Sequence, residues 1–328
     1  MKIVVLDGAV LNPGDVDWGP ISELGELTIH PETAPADLAE RTRDADILLT
    51  NKTELRRSAM AHFQAARLVG LLATGYNNVD LDAFAERGVP VCNVTAYGVG
   101  DVAQHAMSLL LELCHHTQEH TESVRDGEWE RARRWCYWQR TPICLTGRTI
   151  GIVGFGDIGR EMARLAHAFG MRVLAYQRNP RDAPPWEDFA FVPLEQLLAE
   201  SDVVSLHCPL TPETDRLINA ERLALMQPGA ILLNTARGAL VDEEAAAAAL
   251  KSGRLSGMGT DVLSEEPPRP GNPLLRAPNV LITPHMAWAT VRARQNIIDL
   301  TAENIRRWLA GDPVNVVNGV NVAACPLL

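Results

Sequence analysis

Short apolar runs alternate with longer amphipathic stretches along the whole chain. The apolar runs predict strands at 2–6, 26–30, 46–50, 67–72, 89–94, 149–153, 172–176, 203–207, 230–234, 257–261 and 279–283. The stretches between them predict helices at 36–43, 55–64, 80–87, about 101–124, 158–169 and about 290–309. Such alternation is typical of parallel sheets with helices on both faces. The pattern therefore predicts an α/β protein with an irregular, aromatic segment at 126–145.

The length of the chain indicates more than one domain. At 328 residues it corresponds to roughly two domains of about 150 residues each. A hydrophobic share of 46% is sufficient for full cores. The last predicted helix, about 290–309, has no further strand to pair with. We expect it to return to the N-terminal unit, which would make that domain discontinuous.

The charge balance and the apolar runs exclude several classes of function. The formal net charge of −11 and the lack of a basic tract argue against a nucleic-acid surface. No apolar run approaches the ~20 residues of a membrane span. Met1 leads directly into a predicted strand without a signal-type leader, so we expect a cytoplasmic protein.

The cysteines and histidines do not predict a metal site. The cysteines show no metal-type spacing, and we expect them to be buried or inert thiols; they are at positions 92, 114, 136, 144, 208 and 325. His116 and His120 are one helical turn apart, but no third ligand with suitable spacing accompanies them.

The segment from Thr149 to Gly159 is the most informative one. It is a predicted strand that runs into Gly-x-Gly-x-x-Gly and then into an amphipathic helix. In that arrangement Gly154 makes a tight turn, Gly156 lets the backbone approach a pyrophosphate, and Gly159 allows the helix to pack close to the strand. The helix N-terminus then faces the diphosphate. This context predicts a dinucleotide cofactor.

Three further segments end predicted strands at the sheet edge where ligands of open α/β folds bind. They are Asn234–Gly238, Asp261–Pro267 and Thr283–His285. An Arg can bind a substrate carboxylate, a His can exchange a proton with a carbonyl oxygen, and a carboxylate can hold the ring of that His. A solvated Arg and a merely structural Thr-Pro-His turn are the alternatives.

Taken together, these segments resemble the D-isomer-specific 2-hydroxyacid dehydrogenases over nearly the whole chain. The resemblance depends on 153–159, 207–214, 234–238, 261–267 and 283–285, in that order and spacing. It implies two Rossmann-like, doubly wound parallel-sheet domains. The discontinuous, flavodoxin-like substrate domain would be 1–98 plus 287–328, and the dinucleotide-binding domain would be 99–286.

The resemblance also assigns catalytic roles. It implies that Arg237 binds the substrate, His285 is the acid/base and Glu266 is the carboxylate behind His285. The Asp-x4-Glu-Pro spacing selects Glu266 rather than the neighbouring Glu265. The family further implies a homodimer formed through the cofactor domains, and we expect the aromatic segment Trp135–Trp138 near that contact. A mini-core within one subunit is the alternative.

Cofactor and substrate contacts follow from the same resemblance. Expected cofactor residues are Gly154, Phe155, Gly156, Asp157, Ile158, Gly159, Gln177, Arg178, His207, Pro209, Thr214, Thr235, Ala236 and Asp261. Expected substrate residues are Asn51, Thr74, Gly75, Arg237, His285 and Trp288. Within the family, segments 51–53, 73–80, 136–138 and 283–290 are most similar to glycerate dehydrogenases, also called hydroxypyruvate reductases. The expected reaction is reduction of hydroxypyruvate, glyoxylate or a similar small 2-keto acid by NAD(P)H.

The cofactor preference depends on the end of the second strand of the cofactor unit. NAD-preferring proteins of this fold place an acid there, which binds the ribose 2′-hydroxyl. Here the position is Gln177, followed by Arg178 and Arg181, which could pair with a 2′-phosphate. We therefore expect NADP(H) to be preferred, with NAD(H) use left open. Another 2-hydroxy acid specificity and a dinucleotide-sensing, corepressor-like interaction module are the alternative functions.

Overall fold

A computed structural model describes residues 1–320 of the chain. Its strands are β1 (Lys2–Val5), β2 (Glu26–Ile29), β3 (Ile47–Thr50), β4 (Leu68–Leu71), β5 (Val91–Cys92), β6 (Thr149–Val153), β7 (Arg172–Tyr176), β8 (Phe189–Phe191), β9 (Val203–Leu206), β10 (Ala230–Asn234), β11 (Leu255–Thr260) and β12 (Val280–Ile282).

The α-helices are α1 (Gly19–Ser22), α2 (Leu38–Thr42), α3 (Leu81–Ala85), α4 (Val99–His115), α5 (Thr117–Arg125), α6 (Glu128–Ala132), α7 (Asp157–Ala168), α8 (Leu194–Glu200), α9 (Ala220–Leu225), α10 (Glu243–Lys251) and α11 (Val291–Leu309). Short 3-10 helices are Arg57–His62, Gly238–Leu240 and Pro273–Arg276.

The chain divides into two compact units. The first is Met1–Gly98 together with the described residues from Ala289 on, and the second is Val99–Trp288. Each unit is built around one parallel sheet with helices packed on it. The prediction of two parallel-sheet α/β units is therefore confirmed.

The first unit has a five-stranded sheet in the order β2-β1-β3-β4-β5. The four residues of β3 and those of β4 are fully buried, as expected for central strands covered on both faces. Helix α11 packs against α1 and β4 and buries Ile297, Ile305 and Trp308. The C-terminal helix thus completes the core of the N-terminal unit.

The second unit has a seven-stranded sheet in the order β12-β11-β10-β9-β6-β7-β8. Every strand pair in it is parallel. The chain starts in the middle at β6, moves outward through β7 and β8, and crosses back to β9. The strand order therefore reverses beside β6, and such a switch point is where open α/β sheets bind their ligands.

Two of the predicted elements differ from the structure, and one observed strand was missing from the prediction. The single helix predicted at 101–124 is two helices, α4 and α5, because His116 adopts a left-handed backbone with φ 48° and interrupts the helix. The helix predicted at 55–64 is a 3-10 helix. The strand β8 was not predicted; its half-buried residues Phe189 and Phe191 pack against Phe155.

Candidate active site

The turn between β6 and α7 contains the three glycines, and each has a different environment. Gly154 has φ +95°, and a Cβ there would lie 2.6 Å from the backbone nitrogen of Cys208. A Cβ on Gly159 would overlap the carbonyl oxygen of Gly154. A Cβ on Gly156 would have no atom of residues 1–320 within 4 Å. Two of the glycines are therefore required by the fold itself, whereas Gly156 faces open space.

The surroundings of this turn fit a dinucleotide. Gly156 is the N-cap residue of α7, and no side chain there accepts a hydrogen bond from the N–H groups of the first helical turn. N–H groups at a helix N-terminus are suited to binding an anion. The predicted neighbours Phe155, Asp157 and Ile158 belong to the same turn. The buried side-chain oxygens of Gln177, after β7, and of Thr235, after β10, have no hydrogen-bond partner among the described residues. Buried polar atoms are rarely left unpaired, so these two are suited to a ligand.

The ends of β7 and β9 place the other predicted cofactor residues. Gln177 directly follows β7, and Arg178 after it is exposed. The Thr214 hydroxyl donates to the carbonyl oxygen of Pro209 at 2.8 Å, which closes the loop that follows His207. The His207 ring lies 2.8 Å from the Ser205 hydroxyl. Burial lowers the pKa of His207 to about 4, so its imidazole is neutral near pH 7.

Arg237 lies in the loop after β10, and its neighbours determine the shape of this loop. The buried Asn234 amide donates to the carbonyl oxygen of Arg237 at 2.9 Å and accepts from the Ala236 N–H at 3.1 Å. Gly238 lies so close to the backbone of Leu263 that a Cβ would overlap it. The Arg237 side chain is exposed, and it donates one hydrogen bond to the Ala236 carbonyl at 2.7 Å. Its remaining donors can take an anionic ligand.

His285 and Glu266 form a close pair. The His285 Nδ1 atom is 2.6 Å from Glu266 Oε2. The other oxygen of Glu266 accepts the N–H of Leu263 at 3.0 Å, which fixes the orientation of the carboxylate. Because a carboxylate only accepts, Nδ1 carries the proton that is shared with it. The Nε2 atom is the ring nitrogen that remains to face a ligand.

These three side chains line one cavity of about 150 Å³. Its walls come from the loops that follow β9, β10, β11 and β12, which are neighbours in the sheet. Leu210, Val262 and Leu263 supply apolar surface there. Parallel strands bring their carboxyl ends to one edge, and so segments distant in sequence form one site.

Other predicted ligand residues occupy different places. Asp261 is 1% exposed, and its carboxylate accepts hydrogen bonds from the segment after β12. The indole N–H of Trp288 donates to the His285 carbonyl at 2.9 Å.

Asn51 follows β3, and its side-chain amide donates to the Leu72 carbonyl at 3.2 Å. Thr74 and Gly75 follow β4, and the Thr74 hydroxyl donates to the Val94 carbonyl at 2.9 Å. Asn51, Thr74 and Gly75 belong to the first unit.

The histidine pair considered as a metal site makes other contacts. The Nδ1 atom of His120 is 2.8 Å from the His116 carbonyl oxygen, and its Nε2 atom accepts from the Gln139 N–H at 3.1 Å. Within residues 1–320, no group of three or more His, Cys, Asp or Glu side chains is placed to hold a metal ion. None of the helices in that range has the length and apolar character needed to cross a bilayer.

The cysteines differ from one another more than predicted. Burial raises the pKa of Cys92 to about 12 and that of Cys114 and Cys208 to about 11, so these thiols are inert as expected. Cys144 instead is exposed, and hydrogen bonding to Thr146 lowers the pKa of its thiol. Cys325 lies outside the described residues.

The comparison with known proteins decides the family. Residues 107–287 match the family model described as D-isomer specific 2-hydroxyacid dehydrogenase, NAD binding domain. The chain belongs to this family. This chain is 46% identical to a hydroxypyruvate reductase of Blautia hydrogenotrophica. The match covers 97% of this chain and all of the relative. It is 39% identical to a glycerate dehydrogenase of Methylorubrum extorquens, with 86% of this chain and 88% of the relative covered.

The fold of this chain is similar to that of a solved relative. The relative is an NADPH-dependent glyoxylate/hydroxypyruvate reductase from Sinorhizobium meliloti, in complex with NADP and malonate. The TM-score is 0.81 at 29% identity, and the match covers 98% of this chain and 97% of the other.

Two supporting residues of the dehydrogenase were not predicted. Asn234 is the first residue of the predicted segment Asn234–Gly238, and an Asn at a strand end that begins a tight turn was a usable signal. Glu243, at the start of α10, accepts from the Ser264 N–H at 2.7 Å and from the Asn272 amide at 2.8 Å. Nothing in the local sequence of Glu243 indicated that it holds the loop leading to Glu266.

Proposed function

We propose that the protein reduces a small 2-keto acid of the hydroxypyruvate or glyoxylate type to the D-2-hydroxy acid. The observation that carries the proposal is the meeting of Arg237, His285 and Glu266 in one cavity of about 150 Å³. The names of the Blautia and Methylorubrum relatives support the same substrate class.

Each of the three side chains has a distinct role in this proposal. The bound nicotinamide cofactor supplies or accepts the hydride. Arg237 offers a planar fork of donors to the substrate carboxylate and polarises the keto group. His285 donates the Nε2 proton to the carbonyl oxygen as charge develops on it, and removes it in the reverse direction. Glu266 keeps the ring of His285 in the tautomer and orientation that this transfer requires.

Substitution of the three residues tests these roles. We expect His285→Ala and Arg237→Ala each to lower kcat/KM for hydroxypyruvate by about 10²–10⁴-fold, the usual worth of acid/base and electrostatic help. Glu266→Gln keeps an acceptor beside Nδ1 and should retain activity. The assay follows oxidation of the reduced cofactor, with Arg276→Ala, an exposed arginine outside the cavity, as the control.

Two outcomes would contradict the proposal. Near-normal turnover by His285→Ala would remove the proposed proton donor. If the wild-type protein bound the reduced cofactor but oxidised it with none of a panel of 2-keto acids, the corepressor-like interaction module would be favoured instead.

We further propose that NADP(H) is the preferred cofactor. The side chain after β7 is Gln177, which has no charge to repel a 2′-phosphate, and the exposed Arg178 and Arg181 can pair with one. The Sinorhizobium relative is described in complex with NADP. We expect the ratio of kcat/KM for NADPH over NADH to exceed one, and Gln177→Asp to lower it.

The control for this substitution is the same change at Gln64, an exposed residue of the first unit. A ratio below one in the wild-type protein would overturn the preference. An unchanged ratio in Gln177→Asp would show that the position after β7 does not decide it.

We also propose that the protein is a homodimer and that the aromatic segment Trp135–Trp138 is part of its interface. The segment is attached to α5, because the Tyr137 and Ser123 hydroxyls are 2.8 Å apart and the Gln139 amide donates to Ser123 at 3.0 Å. Trp135 and Trp138 are nevertheless exposed. Large exposed aromatics on an ordered segment are a common mark of a protein interface.

A further inference from the structure

The carboxylate of Asp261 holds the segment that carries His285 from both sides. Before His285, the Thr283 hydroxyl donates to Asp261 Oδ1 at 2.6 Å. After it, the N–H of Met286 donates to Oδ1 at 2.9 Å and the N–H of Ala287 donates to Oδ2 at 2.8 Å. The segment 283–287 therefore wraps around one buried carboxylate, with His285 at its centre.

The backbone of His285 needs such support. Its φ is +52°, in the left-handed region that residues other than glycine seldom occupy. Such a conformation persists only where the surrounding structure holds it in place. The N–H of His285 donates to the Asp261 carbonyl oxygen at 2.8 Å. Asp261 therefore supports His285 through its main chain as well as through its carboxylate.

His105 on α4 extends this network. Its Nε2 atom is 2.9 Å from the Thr283 hydroxyl oxygen. The hydroxyl has one hydrogen, and that hydrogen is directed to Asp261. The Thr283 oxygen must then accept from His105, which places a proton on Nε2. His105 is consequently the donor that keeps the hydroxyl hydrogen turned toward Asp261.

We propose that His105 is a positioning residue for His285. The His105 Nε2 atom is 2.9 Å from the Thr283 hydroxyl and 3.6 Å from Asp261 Oδ1, so Thr283 provides the hydrogen bond and Asp261 lies beside it. Through these two groups His105 determines where the imidazole of His285 stands relative to Glu266 and the cavity. The inference rests on the proposed role of His285 as proton donor. Helix α4 packs against β11, the strand that leads into Asp261, so the donor and the acceptor network are supported by the same part of the core.

Removal of the donor should affect the chemical step more than substrate binding. We expect His105→Leu to lower kcat about 10- to 100-fold, because small displacements of a catalytic group have effects of that size. The KM for the keto acid should change less than about twofold, since Arg237 lies on a different loop. The deuterium isotope effect with 4-deuterated NADPH should increase, because hydride and proton transfer then limit turnover.

Two amide variants separate positioning from packing. The Gln amide reaches about as far as the His Nε2 atom, whereas the Asn amide corresponds to Nδ1 and is too short to reach Thr283. We expect His105→Gln to restore near-normal kcat and His105→Asn to resemble His105→Leu. His115→Leu, an exposed histidine at the end of the same helix, is the control and should behave as wild type.

A double-mutant cycle tests whether the two residues act as one chain. Thr283→Val removes the hydroxyl with little change in shape. If His105 acts through Thr283, the variant with both substitutions should be no slower than the slower single variant, whereas independent effects would multiply. Multiplied losses would overturn the proposal.

The remaining outcomes are also decisive. Equal activity of His105→Gln and His105→Asn would overturn the inference, even if His105→Leu fails to fold. So would a His105→Leu protein with normal kcat and isotope effect, provided that His285→Ala is inactive. Full activity of His285→Ala would instead remove the proposed function on which the inference rests, so the two failures are distinguishable.

Discussion

At the scale of single residues, His207 links the stability of the second unit to pH. Burial holds its pKa at about 4, well below the value of about 6.5 in an unfolded chain. Above pH 6.5 the ring is neutral in both the folded and the unfolded chain, so its protonation does not change the free energy of unfolding. Between pH 6.5 and 4 only the unfolded chain binds the proton, so stability is lost as the pH falls.

This gives a measurable expectation for Tm. In His207→Gln the drop in Tm from about pH 7 to about pH 5 should be smaller than in wild type, because one site of preferential proton uptake by the unfolded chain is removed. Thermal scans at both pH values provide the comparison. The same change at the exposed His62 serves as control. Equal drops in wild type and His207→Gln would show that His207 is not protected from protonation.

At the scale of elements, the turn between β6 and α7 contains glycines that the fold requires and one that it does not require. A Cβ at position 159 would overlap the backbone of the turn, whereas one at 156 would point into open space. A glycine that the protein itself does not need is best explained by a ligand that approaches its backbone.

The pair Gly156→Ala and Gly159→Ala tests this difference. We expect Gly156→Ala to keep the wild-type Tm but to raise the Kd for NADPH by at least about tenfold, since one steric clash of about 1.4 kcal/mol has that effect. Gly159→Ala should lower Tm, because backbone must move. Differential scanning calorimetry and a fluorescence titration give the two readouts. Wild-type affinity in Gly156→Ala would mean that no ligand approaches this glycine.

At the scale of the whole molecule, the exposed aromatics bear on assembly. Trp135 is 88% exposed and Trp138 is 62% exposed, so the alternative of a mini-core around these two side chains within one subunit is wrong. Their burial against a second copy would remove an apolar surface from water. We therefore expect a dimer at micromolar concentration.

Sedimentation velocity tests this expectation. The variant with Trp135→Ser and Trp138→Ser should have a dimer Kd at least about tenfold higher, because interface tryptophans typically contribute about 2 kcal/mol or more each. Val10→Ser, at an exposed apolar residue of the first unit, is the matched control. A wild-type monomer, or a double variant with unchanged Kd, would contradict the proposed interface.

Local patterns in the sequence determined the fold class and most of the candidate site. The short apolar runs predicted parallel sheets, because a strand that is covered by helices on both faces must be apolar on both faces. The strand–glycine–helix segment predicted the turn at 154–159, since the strand, the glycines and the helix that define it are contiguous in sequence. Arg237, Glu266 and His285 belong to segments that follow strands, and parallel strands bring such positions to one edge. The resemblance to a known family, not the strand pattern, then implied the role of each residue.

Only the tertiary structure decided which distant groups share a proton or a cavity. His105 and Thr283 are 178 positions apart, and no periodicity connects them. The break at His116, the strand β8 and the exposure of Trp135 also depend on what packs against each segment. Hydrogen bonds and close packing of this kind form between whichever surfaces the folded chain brings into contact, and local sequence carries no record of the partner.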